Sequence, residues 1–278
     1  MNRFLFCNGK FIEEGSPCLP ADDRGFLFGD GVFTTLKVEN GIPELFDLHQ
    51  LRLQEQCKAL QIIPPKILLT DVQMLISKNK ATTGIWRLKI IITGGRLPLL
   101  NLQPREYGSF LMLLSPITEP VIQEVRLTCF PMPIVKPTGR LKTLSYLDRL
   151  WISEYAAHQG FDDALLSSLD GHVTESSFSN IFWYTDGAFF VPDPSLELLM
   201  GITLSHLITV LKRLGYKIHF VKEKLKNISS HSKLFICNAI KGVVPVVEID
   251  GKLFDRDPEI EKVLKQCQTL KIKTFKIN

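Results

Sequence analysis

Short runs of alternating hydrophobic and polar residues dominate the first part of the chain. Two Asn-Gly pairs, at residues 8–9 and 40–41, each lie between two such runs. An Asn-Gly pair in this position indicates a β-hairpin, because both residues accept the positive φ that a tight hairpin turn needs. The pattern therefore predicts two hairpins, and it predicts two buried strands further on, in WRLKIIIT and SFLMLLS.

Apolar residues at helical spacing occur between these strands. The segment LHQLRLQEQCKALQI places most of its leucines near one helical face, with Asp47 as the predicted N-cap. Two prolines at residues 64 and 65 end this helix, and the segment KILLTDVQMLISKNK predicts a second one.

A connector with two prolines, residues 115–123, introduces the second part of the chain. There, EVRLTCF predicts a strand and SYLDRLWISEYAAHQG predicts a helix that ends at Gly160. Two further hairpins turn at Asp170-Gly171 and at Asp186-Gly187. The elements predicted after them are the helix ITLSHLITVLKRLGY, the strands KIHFV, KLFICNA and VVPVVEID, and a C-terminal helix near PEIEKVLKQCQ.

The order of these elements favours one fold class. Strands that are joined by hairpins and interleaved with helices are typical of an α+β fold rather than a doubly wound parallel sheet. We expect two α/β lobes, an N-terminal lobe of residues 1–115 and a C-terminal lobe of residues 116–278 that contains Lys142.

Composition narrows the class of protein further. Hydrophobic residues make up 45% of the chain and charged residues 22%, as in ordinary globular proteins. The net charge of +4 is spread along the chain and gives no reason to expect nucleic acid binding. The six cysteines form no C-x-x-C pair, and the sequence shows neither a signal-peptide pattern nor a membrane-spanning run. We expect a cytoplasmic protein that binds no metal, no nucleic acid and no membrane.

Two features are suited to bind an anion. Gly201, Ile202 and Thr203 begin an amphipathic helix, whose free N–H groups and dipole attract negative charge, although an ordinary helix start is the alternative. Arg52 lies on an otherwise apolar helix, where a guanidinium could clamp a phosphate or a carboxylate. A surface arginine with its stem along the helix is the alternative.

Two further features are suited to bind a cation or an aldehyde. Glu175, in VTESSFSN, could hold a cationic nitrogen, and Lys142, in GRLKTLSYL, could be an amine nucleophile toward an aldehyde. The alternatives are a solvated turn residue and a solvent-exposed charge. Together, an amine, a carboxylate, a guanidinium and an anion-binding helix start are the groups that pyridoxal phosphate requires.

The order and the sequences of these motifs resemble those of the fold-type IV family of pyridoxal-phosphate enzymes. DRGFLFGDGVFTTLKVENGIPELFDLHQLRL is similar to the N-terminal signature of the family, KTLSYL to its Schiff-base lysine segment and VTESSFSNIFW to its cofactor glutamate segment. GIT resembles its phosphate cup, and FICNAIKGVVPV a late strand and loop. The family includes branched-chain aminotransferases, D-amino acid aminotransferases and aminodeoxychorismate lyases.

The resemblance implies pyridoxal 5′-phosphate as the cofactor, a two-lobed fold and a homodimer. It implies that Lys142 binds the cofactor covalently and then serves as a general base, and that Glu175 pairs with the ring nitrogen. The other cofactor contacts that it implies are Arg52, the amides of Ile202 and Thr203, and the Asn238-Ala239 turn for the phosphate, with Tyr146 near the phenolic oxygen.

Three features favour the lyase, which would form 4-aminobenzoate and pyruvate in folate biosynthesis. Aminotransferases of the family more often have Glu where this chain has Thr34, and often Tyr where it has Phe28. The sequence Cys-Asn-Ala at residues 237–239 also resembles that of the lyase. A Thr34 hydroxyl could relay a proton as a catalytic group, although an ordinary β-branched strand residue is the alternative.

Two other functions stay open, an amino acid aminotransferase for branched-chain or D-amino acids and a non-catalytic binding protein. The chain departs from the family pattern before the lysine, at residues 140–141, after GIT, at Leu204, and in the short apolar loop GGRLPLL. These departures leave the substrate open. The candidate contacts for its carboxylates are Arg87, Lys89 and Arg96.

Overall fold

The structure, a computed structural model, describes residues 3–96, 103–118, 122–135 and 137–270. The chain forms two units, of which the first comprises Met1–Pro120 and Leu141–Tyr146. The second unit comprises Val121–Arg140 and Leu147–Asn278. The predicted GGRLPLL loop and the predicted connector lie partly outside the described residues.

The segment that carries Lys142 belongs to the first unit, which corrects its predicted place in the C-terminal lobe. The physical reason is a pair of backbone hydrogen bonds. The Phe33 amide donates to the Lys142 carbonyl at 2.9 Å, and the Leu144 amide donates to the Gly31 carbonyl at 3.0 Å. The lysine segment is thereby paired with a strand that precedes it by more than a hundred residues. The boundary after residue 115 itself stays a prediction.

The first unit contains a mixed set of strands and helices. Six of its strands form one sheet in the order β2-β1-β8-β6-β3-β4 within the described residues. Its elements are β1 (Phe4–Cys7), β2 (Lys10–Glu13), α1 (Arg24–Phe28), β3 (Gly31–Glu39), β4 (Ile42–Pro43), α2 (Phe46–Ala59), β5 (Ile62–Ile63), α3 (Leu69–Lys78), β6 (Ile85–Thr93), β7 (Arg105–Glu106) and β8 (Phe110–Pro116).

The two predicted hairpins and both buried strands of this unit are confirmed. At the first turn, Asn8 has φ 46° and Gly9 has φ 85°, the left-handed backbone that an Asn-Gly hairpin turn requires. Helix α2 begins at Phe46 and has Leu45 as its N-cap, so the predicted cap at Asp47 is wrong. Asp47 instead lies in the first turn, where its charge interacts favourably with the helix dipole.

The core of the first unit lies between one face of this sheet and the helices α2 and α3. Side chains of β3, β6 and β8 that share this face pack against buried residues of both helices. Because side chains alternate along a strand, the neighbouring residues of β3 and β6 point to the opposite face. Members of the core include Val32, Leu36, Val38, Leu53, Val72, Leu75, Leu88, Ile90, Ile92 and Met112.

The second unit is built on a larger mixed sheet, in the order β11-β10-β9-β16-β15-β12-β13-β14 with β17 beside β16. An additional pairing of β11 with β12 closes six of these strands into a ring. The elements are β9 (Val125–Cys129), α4 (Leu147–His158), β10 (Asp163–Ser167), β11 (Val173–Ser176), β12 (Asn180–Thr185), β13 (Ala188–Pro192), α5 (Ile202–Arg213), β14 (Lys217–Val221), β15 (Lys233–Asn238), β16 (Gly242–Ile249), β17 (Lys252–Leu253) and α6 (Pro258–Thr269).

The hairpins, strands and helices predicted for this unit are confirmed. Asp186 and Gly187 have φ 49° and 78°, and Gly160 has φ 79° after the end of α4, as its predicted role as a helix terminator requires. Helices α5 and α6 pack on the sheet through a shared hydrophobic cluster. Within the described part of the chain, no helix is both long and apolar enough to cross a membrane.

Candidate active site

Lys142 lies against two aromatic rings in the first unit. Its Nζ is 4.8 Å from the centroid of the Phe33 ring and 5.2 Å from that of the Tyr146 ring. The two rings contact each other edge to face, with centroids 5.1 Å apart. Aromatic faces attract a cation, so these two rings orient the amine of this half-buried lysine and limit its access to water.

A second lysine lies on the same face of the sheet. Lys89 Nζ is 4.5 Å from the centroid of the Phe33 ring, and burial together with the charge of Arg87 lowers the pKa of Lys89. Thr35 is opposite Lys89 in the pairing of β3 with β6. Since Phe33 and Thr35 are two residues apart on β3, they point to one face, and this face carries both amines.

Thr34 points to the other face of β3, into the contact with α2. It is 0% exposed, and its Oγ1 accepts a hydrogen bond from Arg52 Nη2 at 2.7 Å. Oγ1 is also 2.6 Å from Nδ1 of His49. A hydroxyl that accepts from the guanidinium has its proton available for the imidazole, so we assign Oγ1–H as the donor to Nδ1. The proton relay predicted for Thr34 stays a prediction, and this hydroxyl is enclosed between two side chains of α2.

His49 is neutral in this contact. Burial, followed by the positive charges of Arg52 and Lys142, lowers the pKa of His49 well below 6.5. Burial lowers the pKa of Arg52 to about 10, so its guanidinium stays charged at neutral pH. Within the described ranges, Arg52 Nε is buried and has no hydrogen-bond partner. A buried charged N–H without an acceptor is costly, and an anionic group is the partner that would satisfy it.

The second unit contains a buried ion pair at Glu175. Glu175, 8% exposed on β11, accepts a hydrogen bond from Arg149 Nη2 of α4 through Oε1. Its other oxygen, Oε2, accepts from the Leu199 amide at 3.3 Å. Sequence reasoning predicted Glu175 but not its arginine partner.

Asn180 fixes the start of α5 relative to Glu175. Its Nδ2 donates to the Leu199 carbonyl at 2.7 Å, and its Oδ1 accepts from the Gly201 amide at 2.9 Å. A Cβ at Gly201 would approach Asn180 Oδ1 to 2.3 Å, so only glycine allows this contact. Helix α5 then begins at Ile202 without a side-chain cap. Its first N–H groups are therefore left to an anion or to water.

Two turns support this arrangement from behind. Asn238 Oδ1 accepts from the amides of Ile240 and Lys241, and its Nδ2 donates to Ser179 Oγ at 3.0 Å. The side chain of Asn238 thus closes the Asn-Ala turn and links it to the residue before Asn180. Asp163, whose pKa is raised by burial, accepts from the hydroxyls of two serines that follow Glu175.

The predicted site residues therefore form two groups, one in each unit. In the first unit these residues lie on β3 or contact it: Thr34, Arg52, Lys142 and Tyr146. In the second unit they lie on β11, at the start of α5 and at the end of β15: Glu175, Ile202, Thr203, Asn238 and Ala239. Of the candidate carboxylate contacts, Lys89 and Arg87 lie on β6, whereas Arg96 pairs with Asp22 in an exposed ion pair.

Sequence reasoning missed four residues of these groups: His49, Thr35, Arg149 and Asn180. Asn180 is inside a motif that was recognised, but an asparagine at a strand start carries no signal of what its amide contacts. Leu204, by contrast, is a buried residue of the core beneath α5, so its departure from the family pattern serves packing.

The residues present fit pyridoxal phosphate. In the first unit, the N–H of Arg52 that has no partner suits a phosphate. In the second unit, the uncapped amides of α5 suit a phosphate, and the buried Glu175 carboxylate suits a cationic ring nitrogen. Lys142 supplies an amine for the aldehyde.

Comparison with known proteins gives relatives over nearly the whole chain. The family described as class IV aminotransferases matches residues 31–249. A protein of Methanocaldococcus jannaschii, named provisionally as a branched-chain-amino-acid aminotransferase, is 28% identical over 272 residues that cover 94% of each chain. The aminodeoxychorismate lyase of Bacillus subtilis is 24% identical and covers 88% of this chain and 86% of its own. The D-alanine aminotransferase of Bacillus licheniformis is 24% identical, with 90% and 89% covered.

The fold is shared with solved structures as well. The branched-chain aminotransferase of the archaeon Thermoproteus uzoniensis superposes with a TM-score of 0.86 at 19% identity, and the match covers 96% of this chain and 94% of that one. This likeness confirms the α+β class and the fold-type IV architecture predicted from the sequence.

Proposed function

The chain belongs to the family of class IV aminotransferases, and from this premise we propose that it is a 4-amino-4-deoxychorismate lyase that forms 4-aminobenzoate and pyruvate. Membership of the family implies pyridoxal 5′-phosphate as the cofactor. When bound, the cofactor supplies an aldehyde for covalent attachment and a ring that withdraws electrons from the carbon next to the substrate amine.

Each group of residues has a part in this proposal. Lys142 carries the cofactor through its amine, and Glu175 holds the ring nitrogen. Arg52, the first amides of α5 at Ile202 and Thr203, and the Asn238-Ala239 turn hold the phosphate. Tyr146, whose ring contacts both Phe33 and the lysine amine, would lie beside the phenolic oxygen.

Lys142 also moves the protons of the reaction. With the cofactor bound, the free amine of Lys142 would take the proton from the substrate carbon that bears the amine. The bond between the neighbouring carbon and the ether oxygen then breaks, the ring becomes aromatic, and the enolpyruvyl group leaves. Return of a proton to its methylene carbon gives pyruvate, so the substrate divides into two products without oxidant, reductant or water. Lys142 serves as base and then as acid.

We choose the lyase because of the positive charge on the sheet face that carries Lys142 and Lys89. The substrate of this reaction has two carboxylates, whereas a branched-chain amino acid has one carboxylate and an apolar side chain. Lys89 lies beside the Phe33 ring, with Arg87 near enough to lower its pKa, and no ion pair of Lys89 occurs among the described residues. A desolvated cation without an acidic partner is suited to bind a carboxylate. This face therefore fits a dianion better than an apolar side chain.

The two threonines of β3 have different parts in the proposal. The sequence pointed to Thr34 as the catalytic hydroxyl, but Thr35 shares the sheet face of Lys142 and Lys89. We assign proton relay to Thr35 and the holding of Arg52 to Thr34. Thr35→Val should lower kcat with little change in cofactor affinity. Thr34→Val should lower the affinity for the cofactor and the stability of the protein. A kcat loss confined to Thr34→Val, at full cofactor occupancy, would return the relay to Thr34.

Product formation tests the lyase directly. The holoenzyme should convert aminodeoxychorismate to equal amounts of 4-aminobenzoate and pyruvate without any added keto acid, both measured by chromatography. Lys89→Met should raise KM by about 10-fold or more, through loss of a charge-assisted contact. A cofactor-loaded enzyme that forms neither product would disprove this function.

An amino acid aminotransferase is the second candidate, favoured by the name of the relative that is 28% identical. This function predicts that branched-chain or D-amino acids alone convert the bound cofactor to its amine form and bleach its visible absorbance. The lyase predicts product from aminodeoxychorismate and slow or absent bleaching by these amino acids.

We also propose a homodimer. Leu147, Leu150 and Trp151 of α4 are 76%, 55% and 65% exposed, which is unusual for large apolar side chains on one helix face. Light scattering should give twice the mass of one chain, and Trp151→Glu should shift it toward the monomer. A monomeric wild-type protein at micromolar concentration would contradict this proposal.

A further inference from the structure

The cluster around Glu175 contains a cation that the proposed function does not yet use. Arg149 lies in the first turn of α4, and its side chain is 13% exposed. Its Nη2 donates to Glu175 Oε1, and its Nη1 donates to the Ser176 carbonyl at 3.2 Å. The guanidinium is therefore anchored both to the carboxylate and to the backbone beside it.

This geometry fixes the orientation of the carboxylate. One oxygen is held by Arg149 and the other by the Leu199 amide, which belongs to the loop that Asn180 fastens. A free glutamate side chain would have to be ordered when a ligand binds, at a cost in conformational entropy. Here that ordering is complete beforehand.

Arg149 also favours the charged form of Glu175. A carboxylate that is 8% exposed is costly to keep ionised unless a cation accompanies it. Without the arginine, a buried glutamate would take up a proton and become a hydrogen-bond donor. A neutral acid of this kind can no longer receive the N–H of a protonated ring nitrogen.

We propose that Arg149 is a positioning residue that keeps Glu175 ionised and oriented toward the ring nitrogen of the cofactor. This inference rests on the proposed role of Glu175 and deepens it. Arg149 does not contact the cofactor in this proposal. It acts through the carboxylate, so its effect depends on the presence of a ring nitrogen.

A cofactor analogue provides the test. In 1-deazapyridoxal 5′-phosphate a C–H replaces the ring nitrogen, so the ratio of its Kd to that of pyridoxal 5′-phosphate isolates the contribution of this atom. Both constants are measured by titration of the apoprotein. Arg149→Met should raise the Kd of pyridoxal 5′-phosphate by about 10- to 100-fold and that of the analogue by no more than about 3-fold. The ratio of the two constants therefore becomes smaller. Arg149→Lys, which keeps a cation, should recover at least half of the loss on a logarithmic scale.

Three comparisons keep the outcomes distinct. Arg256→Met, which removes an arginine that pairs with Glu124 and Glu261 at the surface, should leave the ratio unchanged. The double variant Arg149→Met with Glu175→Gln should have a Kd for pyridoxal 5′-phosphate within about 2-fold of that of Glu175→Gln alone. If Arg149→Met does not fold, Arg149→Lys alone should still shrink the ratio by about 3-fold.

Equal weakening of both ligands by the Arg149 variants would overturn the proposal, since that is the result of a merely structural role. An additive effect in the double variant would overturn it as well. If Glu175→Gln leaves the ratio unchanged, the role of Glu175 in the proposed function is wrong, which is a separate failure from that of Arg149.

Discussion

The two units carry different kinds of candidate functional group. In the first unit the chemistry resides in long cationic side chains, Lys142, Lys89 and Arg52, that project from strands and a helix. In the second unit it resides mainly in backbone groups and one carboxylate, held by hydrogen bonds between turns. Side chains of the first kind can be replaced with little effect on the chain path, whereas the second kind depends on the path itself. Substitutions in the first unit should therefore reduce catalysis or ligand binding with little change in stability. Substitutions in the second unit should also change the path of the backbone and lower stability.

The largest expected effect is at the amine of the first unit. Lys142→Ala should abolish covalent attachment of the cofactor and lower turnover by at least about a thousand-fold, because nucleophile and proton carrier are lost together. Lys89→Ala is the matched control, since its amine lies over the same Phe33 ring. It should retain the visible absorbance of the attached cofactor. The comparison fails if Lys89→Ala loses that absorbance and Lys142→Ala retains it.

Arg52→Met should come next in magnitude. Loss of a charge-assisted contact should raise the Kd of pyridoxal 5′-phosphate by about 10- to 100-fold, equivalent to about 1.4–2.8 kcal/mol. Pyridoxal without its phosphate should bind both proteins within about 2-fold, as titration of the apoproteins would measure. Equal losses for the two ligands would mean that Arg52 does not contact the phosphate.

Asn180→Leu tests the geometric character of the second unit. The change removes two hydrogen bonds to the loop before α5, and we expect it to lower the free energy of unfolding by about 1–3 kcal/mol in urea titrations. Affinity for the phosphate should fall as well, although Asn180 has no charge. Asn227→Leu, at an exposed asparagine, is the control and should change stability by less than about 0.5 kcal/mol. Unchanged stability in Asn180→Leu would show that the loop holds its path without this residue.

The smallest effect concerns pH and the buried imidazole of the first unit. The pKa of His49 is well below 6.5 in the folded chain, so the unfolded chain binds one more proton on acidification below pH 6.5. Stability should therefore fall as the pH drops through this range, by up to about 1.4 kcal/mol per pH unit from His49. His49→Asn should show a shallower fall in urea titrations at pH 6.5, 6.0 and 5.5. Parallel slopes would contradict the assignment of a neutral His49.

Local features of the fold could be predicted from the sequence, whereas contacts between distant segments could not. The turns at Asn8-Gly9 and Asp186-Gly187 could be predicted, because these residue types readily adopt the positive φ that a hairpin turn requires. The place of Lys142 beside β3 depends on backbone pairing between segments far apart in sequence. No local pattern contains that information.

The site shows the same division. Lys142, Glu175 and Arg52 could be proposed because their motifs resemble a family, and their residue types suit the chemistry. Arg149 could not, since it contacts a glutamate 26 residues away through a turn whose path only the structure defines. Thr34 and Thr35 are adjacent, and the choice between them depends on which face of β3 is covered by α2.

The proposed function requires Lys142 to be the amine to which the cofactor is attached. Reduction of the holoenzyme with borohydride makes that link permanent, and mass spectrometry of the digested protein then identifies the labelled lysine. We expect a single pyridoxyl-phosphate label on the peptide that contains Lys142. A label on Lys89 or any other lysine, or no label at all on a protein saturated with the cofactor, would contradict it.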